Sequence, residues 1–311
     1  MADFDRPALV QFAQDSISRG SKSFRFASRL FDRITRERVW LLYAWCRKCD
    51  DMADGQDHGG AMAAVTDPQE SLAAIRTLTA KALAGMPTGE PAFDCLGVVA
   101  RECGITACMA EDVIEGFALD AADWHPRRES DLYQYCYHVA GAVGVMMAVV
   151  MGVPADDDAT LDRACDLGLA FQLANIARDI AEDDAAGRCY LPDDWLATLD
   201  IGPGEHMKPH NRKKLALMGR WLADEAEQYE ASARVGAANL PLRARWAVLS
   251  AAGIYGEIAR KVRAADSHAW DQRIFTSRPE KFRWVRKAFV DAVANNPRAM
   301  DRAALWTRAR V

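Results

Sequence analysis

Apolar residues recur at helical spacing along almost the whole chain, while β-branched residues seldom alternate with polar ones. That pattern argues against a sheet and predicts an all-α fold. It places helices near 5–18, 33–53, 68–84, 91–103, 107–121, 129–152, 158–184, 208–236, 242–264 and 279–295. The breakers between them are the glycine-containing stretch Gly55–Pro68, Gly85–Pro91, Ile201–Gly204 and Asn239–Pro241. Several of the helices are long and apolar over much of their circumference. Such helices are buried on more than one side, as in a large bundle. A large bundle can leave a deep slot lined by side chains of facing helices. In 311 residues no Pro-, Gly- or Ser-rich linker separates two cores, so a single domain over 1–311 is expected.

Charge and composition exclude some functions. The net charge is -5, with no basic run and no interleaving of aromatic and basic residues, so nucleic acid is not an expected partner. The amino terminus, MADFDRPALV, lacks the basic flank and apolar run of a secretory signal. The most apolar stretch, Val139–Val153, is shorter than the roughly 20 residues of a membrane span. Eight cysteines form no framework, and Cys46-Arg-Lys-Cys49 has no second pair to complete a zinc site. Reduced, buried thiols in a cytoplasmic protein are the expected state.

Two short segments carry chemistry. Residues 43–54 read Tyr-Ala-Trp-Cys-Arg-Lys-Cys-Asp-Asp-Met-Ala-Asp. On a helix Tyr43, Arg47, Asp50 and Asp54 follow at spacings of four, three and four and share one stripe. Asp51 is turned about 100° from Asp50 and need not face the same way. Two aspartates one turn apart repel each other, and a divalent cation relieves them. Magnesium, which takes few carboxylates together with waters and phosphate oxygens, suits such a pair. Arg47 is placed to hold a diphosphate as a fork.

The second segment, 171–184, reads Phe-Gln-Leu-Ala-Asn-Ile-Ala-Arg-Asp-Ile-Ala-Glu-Asp-Asp. Gln172, Asn175, Asp179 and Asp183 fall on one face, and Glu182 flanks it. An amide and two carboxylates on one stripe can complete the coordination of a hard cation. Arg178 is placed to reach a phosphate from the side, and Arg188 and Tyr190 of the following loop to close over the site. A solvated helix end fits either segment poorly, because negative charge at a helix C-terminus opposes the dipole.

These segments, with Ser21-Lys-Ser-Phe24, Leu42–Arg47, Tyr135-Cys-Tyr-His-Val-Ala-Gly141 and Gly187-Arg-Cys-Tyr-Leu-Pro192, resemble the squalene and phytoene synthases, and most of all their bacterial phytoene-forming branch. The resemblance runs from Gly20 to Trp270-Asp-Gln-Arg273. It implies the all-α isoprenoid synthase fold around a central cavity. It implies a prenyl transfer in which two geranylgeranyl diphosphates join head to head. One ionises to an allylic cation and the other's double bond attacks it. The resulting prephytoene diphosphate ionises again and loses a proton to give phytoene, and two pyrophosphates leave.

Carried over by residue, Asp50, Asp54, Asn175, Asp179 and Asp183 match metal ligands, for magnesium with manganese as the alternative. Ser21, Lys22, Arg47 and Arg178 match diphosphate contacts. Tyr135, Gln172 and Tyr255 match groups near the reacting centre. Phe24, Phe26, Tyr43, Val139, Val143 and Phe171 are candidates for an apolar wall that keeps the cation from water. Gly141 and Gly144 suggest a close approach, by substrate or by another helix. Ser28 stands where relatives making C30 products carry a bulky aromatic, so it favours C20 substrates.

No NADPH is expected. The competing readings are a dehydrosqualene or squalene synthase acting on farnesyl diphosphate and a non-catalytic helical scaffold. Peripheral contact with a membrane for product release is expected at Trp195, Leu196 and the loop from Gly187. Oligomeric state is not legible, and the six histidines receive no role.

Overall fold

The structure is a computed structural model and describes residues 4–20, 27–54, 68–122 and 124–309. Ser21, Lys22, Phe24 and Phe26 lie outside the described residues, as does the side chain of Asp54. Among the described residues every regular element is helical: α1 Arg6–Gly20, α2 Arg33–Asp54, α3 Pro68–Leu83, α4 Pro91–Cys103, α5 Ala107–Ala121, α6 Glu129–Cys136, α7 Ala142–Val150, α8 Asp158–Ala185, α9 Asp193–Thr198, α10 Arg212–Ala237, α11 Leu242–Ala265 and α12 Arg278–Ala294.

Local chemistry sets the ends. α4 starts on Pro91 and stops at Gly104, whose left-handed φ of 79° lets its N–H return to the Ala100 carbonyl. α5 is capped by the Thr106 hydroxyl, which accepts from the Met109 N–H. α12 opens with a reciprocal capping box between Ser277 and Glu280. Two details depart from the periodicity. The pattern over 129–152 is broken by a π-turn at Tyr137–Gly141, and the short α9 was not visible as a period.

Internal contacts gather the chain into two compact units, which divide between residues 123 and 124, inside α7 and inside α8. The first unit holds α1–α5 and residues 145–161. Its core includes the fully buried Trp45, Ile75, Phe93, Leu96 and Ile114, and the Trp45 indole donates to Thr79 Oγ1 at 3.2 Å. Arg6 ties α1 to Glu37 on α2 at 2.7 Å and to Glu102 on α4 at 2.5 Å.

The second unit holds 124–144 and 162–310. Its helices meet through small residues. A Cβ on Gly144 would stand 2.5 Å from the Ala164 carbonyl oxygen, and one on Gly168 would stand 2.3 Å from that of Ala140. Gly141 is crowded in the same way by Leu169 and Cys165. The close approach at Gly141 and Gly144 is therefore with α8. The chain after α12 crosses back to the start of α8, where Arg302 forks Asp166 with two 2.8 Å bonds and Arg308 meets Asp162 at 3.0 Å.

Candidate active site

α2 places Tyr43, Arg47 and Asp50 on one half-buried stripe, as their spacing requires. Arg47 is the hub. Its Nη1 lies 2.9 Å from Asp50, and its Nε and Nη2 lie 2.9 and 2.6 Å from one oxygen of Asp51. Asp51 is turned inward and buried, and it fixes the guanidinium from behind. Burial, against the pull of Arg47, pushes the Tyr43 hydroxyl up to about 12. Ser28 is buried too, and its Oγ accepts from the Trp40 indole at 3.0 Å.

α8 places Gln172, Asn175, Asp179 and Asp183 on a second half-buried stripe. Arg178 forks Asp179: Nε donates to Oδ1 at 2.7 Å, and Nη2 donates to Oδ2. Arg273 reaches the same carboxylate at 2.9 Å and Glu182 at 3.7 Å. Burial and then the charge of Asp179 push Asp183 up to about 6, with Arg188 opposing. Gly187, at φ 76°, ends the helix and lets the Arg188 N–H bond the Asp183 carbonyl at 2.8 Å.

Aromatic rings line this second unit. Tyr135 is buried in a stack, with Trp124 at 5.4 Å on one side and Tyr190 at 4.9 Å on the other. Phe171 stacks on Tyr255 at 4.3 Å. Val139 lies half-buried in the π-turn.

Three features escaped sequence reasoning. Arg273 and Trp124 are remote in sequence from the partners they meet, so no spacing announces them. His206 is buried with Nε2 3.3 Å from Asp184, one residue past Asp183. Burial lowers its basicity. Two expectations need correction. Leu196 is buried and Trp195 packs edge-on against Trp221 at 5.3 Å, so this pair is not a free apolar tip. Cys108 is exposed, while the other seven cysteines are at least partly buried, and all eight are free thiols.

Among the described residues no three carboxylate, imidazole or thiol groups converge as a metal cluster, and the Asp54 side chain is not among those residues. The donor chemistry still fits magnesium. Both stripes offer hard oxygen donors one turn apart, on helices whose last turns carry no basic residue of their own. Negative charge there opposes the dipole, and Arg47 on the first stripe and Arg273 beside the second already neutralise part of it.

The squalene/phytoene synthase profile matches residues 17–280, and the chain belongs to that family. Within it, the chain is 46% identical over 308 residues to a 15-cis-phytoene synthase of Pantoea ananas, covering 98% of this chain and 99% of that one. It is 44% identical over 302 residues to a 15-cis-phytoene synthase of a Paracoccus species, covering 96% and 98%. Among solved structures, a dehydrosqualene synthase in complex with ligand superposes with a TM-score of 0.81 at 26% identity, covering 93% of this chain and 98% of that one. The fold is the all-α isoprenoid synthase fold.

Proposed function

We propose that the chain is a 15-cis-phytoene synthase, joining two geranylgeranyl diphosphates head to head through prephytoene diphosphate. The observation that carries this reading is the likeness, nearly end to end, to the phytoene synthases of Pantoea ananas and Paracoccus.

Asp50 and Asp54 on α2 would hold magnesium, and so would Asn175, Asp179 and Asp183 on α8. Magnesium supplies charge for the departing diphosphate when bound. The residues do the rest. Arg47 and Arg178, each already held by a carboxylate, are pre-aimed donors for phosphate oxygens, and Arg273 joins them. The rings of Tyr190 and Trp124, which cover the two faces of Tyr135, and of Phe171 and Tyr255 would offer π-faces that favour an allylic cation over attack by water. No single side chain is assigned as proton acceptor; released pyrophosphate is a competent base.

Product analysis tests the reading. Purified enzyme with magnesium should convert geranylgeranyl diphosphate to a C40 triene core and two pyrophosphates without NADPH. A C30 product made in preference from farnesyl diphosphate would move the chain to the dehydrosqualene or squalene branch. No pyrophosphate from either substrate would make it a scaffold.

A further inference from the structure

α12 wears its hydrophobic face outward. Phe282, Phe289, Val290 and Val293 are 64%, 47%, 65% and 59% exposed, and Phe275, just before the helix, is 69% exposed. Phenylalanine and valine at such exposure on one short helix need a reason. The helix does pack on its other side: Val285, Ala288 and Ala292 are buried, and Trp246 of α11 meets Phe289 edge-on at 5.1 Å.

The outward stripe is also basic. Arg278, Phe282, Arg286, Phe289 and Val293 follow at spacings of four, four, three and four, so they share one face. Arg283, exposed, flanks it and meets Glu257 of α11 at 3.3 Å. The two acidic residues of α12 lie on the opposite side, each engaged. Glu280 is bound by Lys261 at 2.7 Å and closes the cap, and Asp291 is bound by Lys287 at 2.6 Å. A chain of net charge -5 thus presents here a helix face that alternates aromatic and cationic groups and carries no acid.

We propose that this face of α12 docks the protein on an anionic phospholipid surface. Its apolar side chains would enter the headgroup boundary, while Arg278 and Arg286 meet lipid phosphates. A second copy of the chain fits worse. A two-fold contact through this face would bring Arg278 and Arg286 against their own counterparts or against one another. The assignment places membrane contact on α12 rather than on the segment with the buried Leu196. It does not depend on which diphosphate the enzyme uses.

Co-sedimentation of the full chain with sucrose-loaded vesicles tests it. Wild type should pellet with phosphatidylcholine vesicles containing phosphatidylglycerol, stay in the supernatant with phosphatidylcholine alone, and be released by high salt. Phe282→Ser/Phe289→Ser should lose pelleting. Arg278→Gln/Arg286→Gln should weaken it by about fivefold for each charge removed. Both doubles should keep the wild-type helical spectrum and turnover on detergent-dispersed substrate. Wild-type protein that ignores phosphatidylglycerol, or either double that pellets like wild type, would overturn the proposal. A concentration-dependent dimer abolished by the same substitutions in sedimentation equilibrium would instead assign the face to a second copy.

Discussion

At the scale of single residues, the two arginine hubs explain how acidic stripes survive at helix ends. Asp179 takes charge-assisted bonds from Arg178 and Arg273. Removing its negative charge should therefore disturb both arginines and any bound cation. Asp179→Asn is expected to lower turnover by about a hundredfold or more with no loss of helical signal, read by steady-state pyrophosphate release and circular dichroism. Arg273→Gln should act on the same carboxylate from outside the motif, with a loss of about tenfold and a larger effect on KM than on kcat. Ser28 bears on substrate length. It is buried and bonded to Trp40, so Ser28→Phe must displace the indole as well as fill space. In competition between farnesyl and geranylgeranyl diphosphates, that variant should shift toward farnesyl. Unchanged preference would end the chain-length reading of Ser28.

At the scale of elements, contact between backbones decides what the apolar stretch Val139–Val153 does. Gly141 and Gly144 admit α8 at a distance no side chain allows. Gly168→Val would drive two branches toward the Ala140 carbonyl. It is expected to destabilise the fold by at least about 1–3 kcal/mol, measured by urea denaturation, unless the helices separate. The π-turn at Tyr137–Gly141 adds a residue to the helical ladder between Tyr135 and Gly141. The sequence shows the apolar run and its glycines. The widened turn is invisible there, since it lies in the pairing of backbone hydrogen bonds and not in the residues of the run.

At the scale of the molecule, the carboxyl-terminal segment has a structural task that no motif marks. Arg302 neutralises Asp166, which is 0% exposed, and the Ser232 hydroxyl completes that carboxylate's partners. Arg302→Ala would leave a buried charge with half its partners gone. The expected cost is about 3–5 kcal/mol, read as a lower midpoint of thermal unfolding, and Arg302→Lys should recover only part of it. The same distinction runs through the protein. Helix positions, the one-faced stripes of Asp50 with Arg47 and of Asn175 with Asp179 and Asp183, and the absence of a strand pattern are local consequences of period and spacing, so the amino-acid order alone determines them. The roles of Trp124, His206, Arg273 and Arg302 were decided only by tertiary structure. Each acts on a partner chosen by packing, and solvent exposure, which turns the phenylalanines of α12 outward and Leu196 inward, is a property of the folded surface that hydropathy along a chain does not carry.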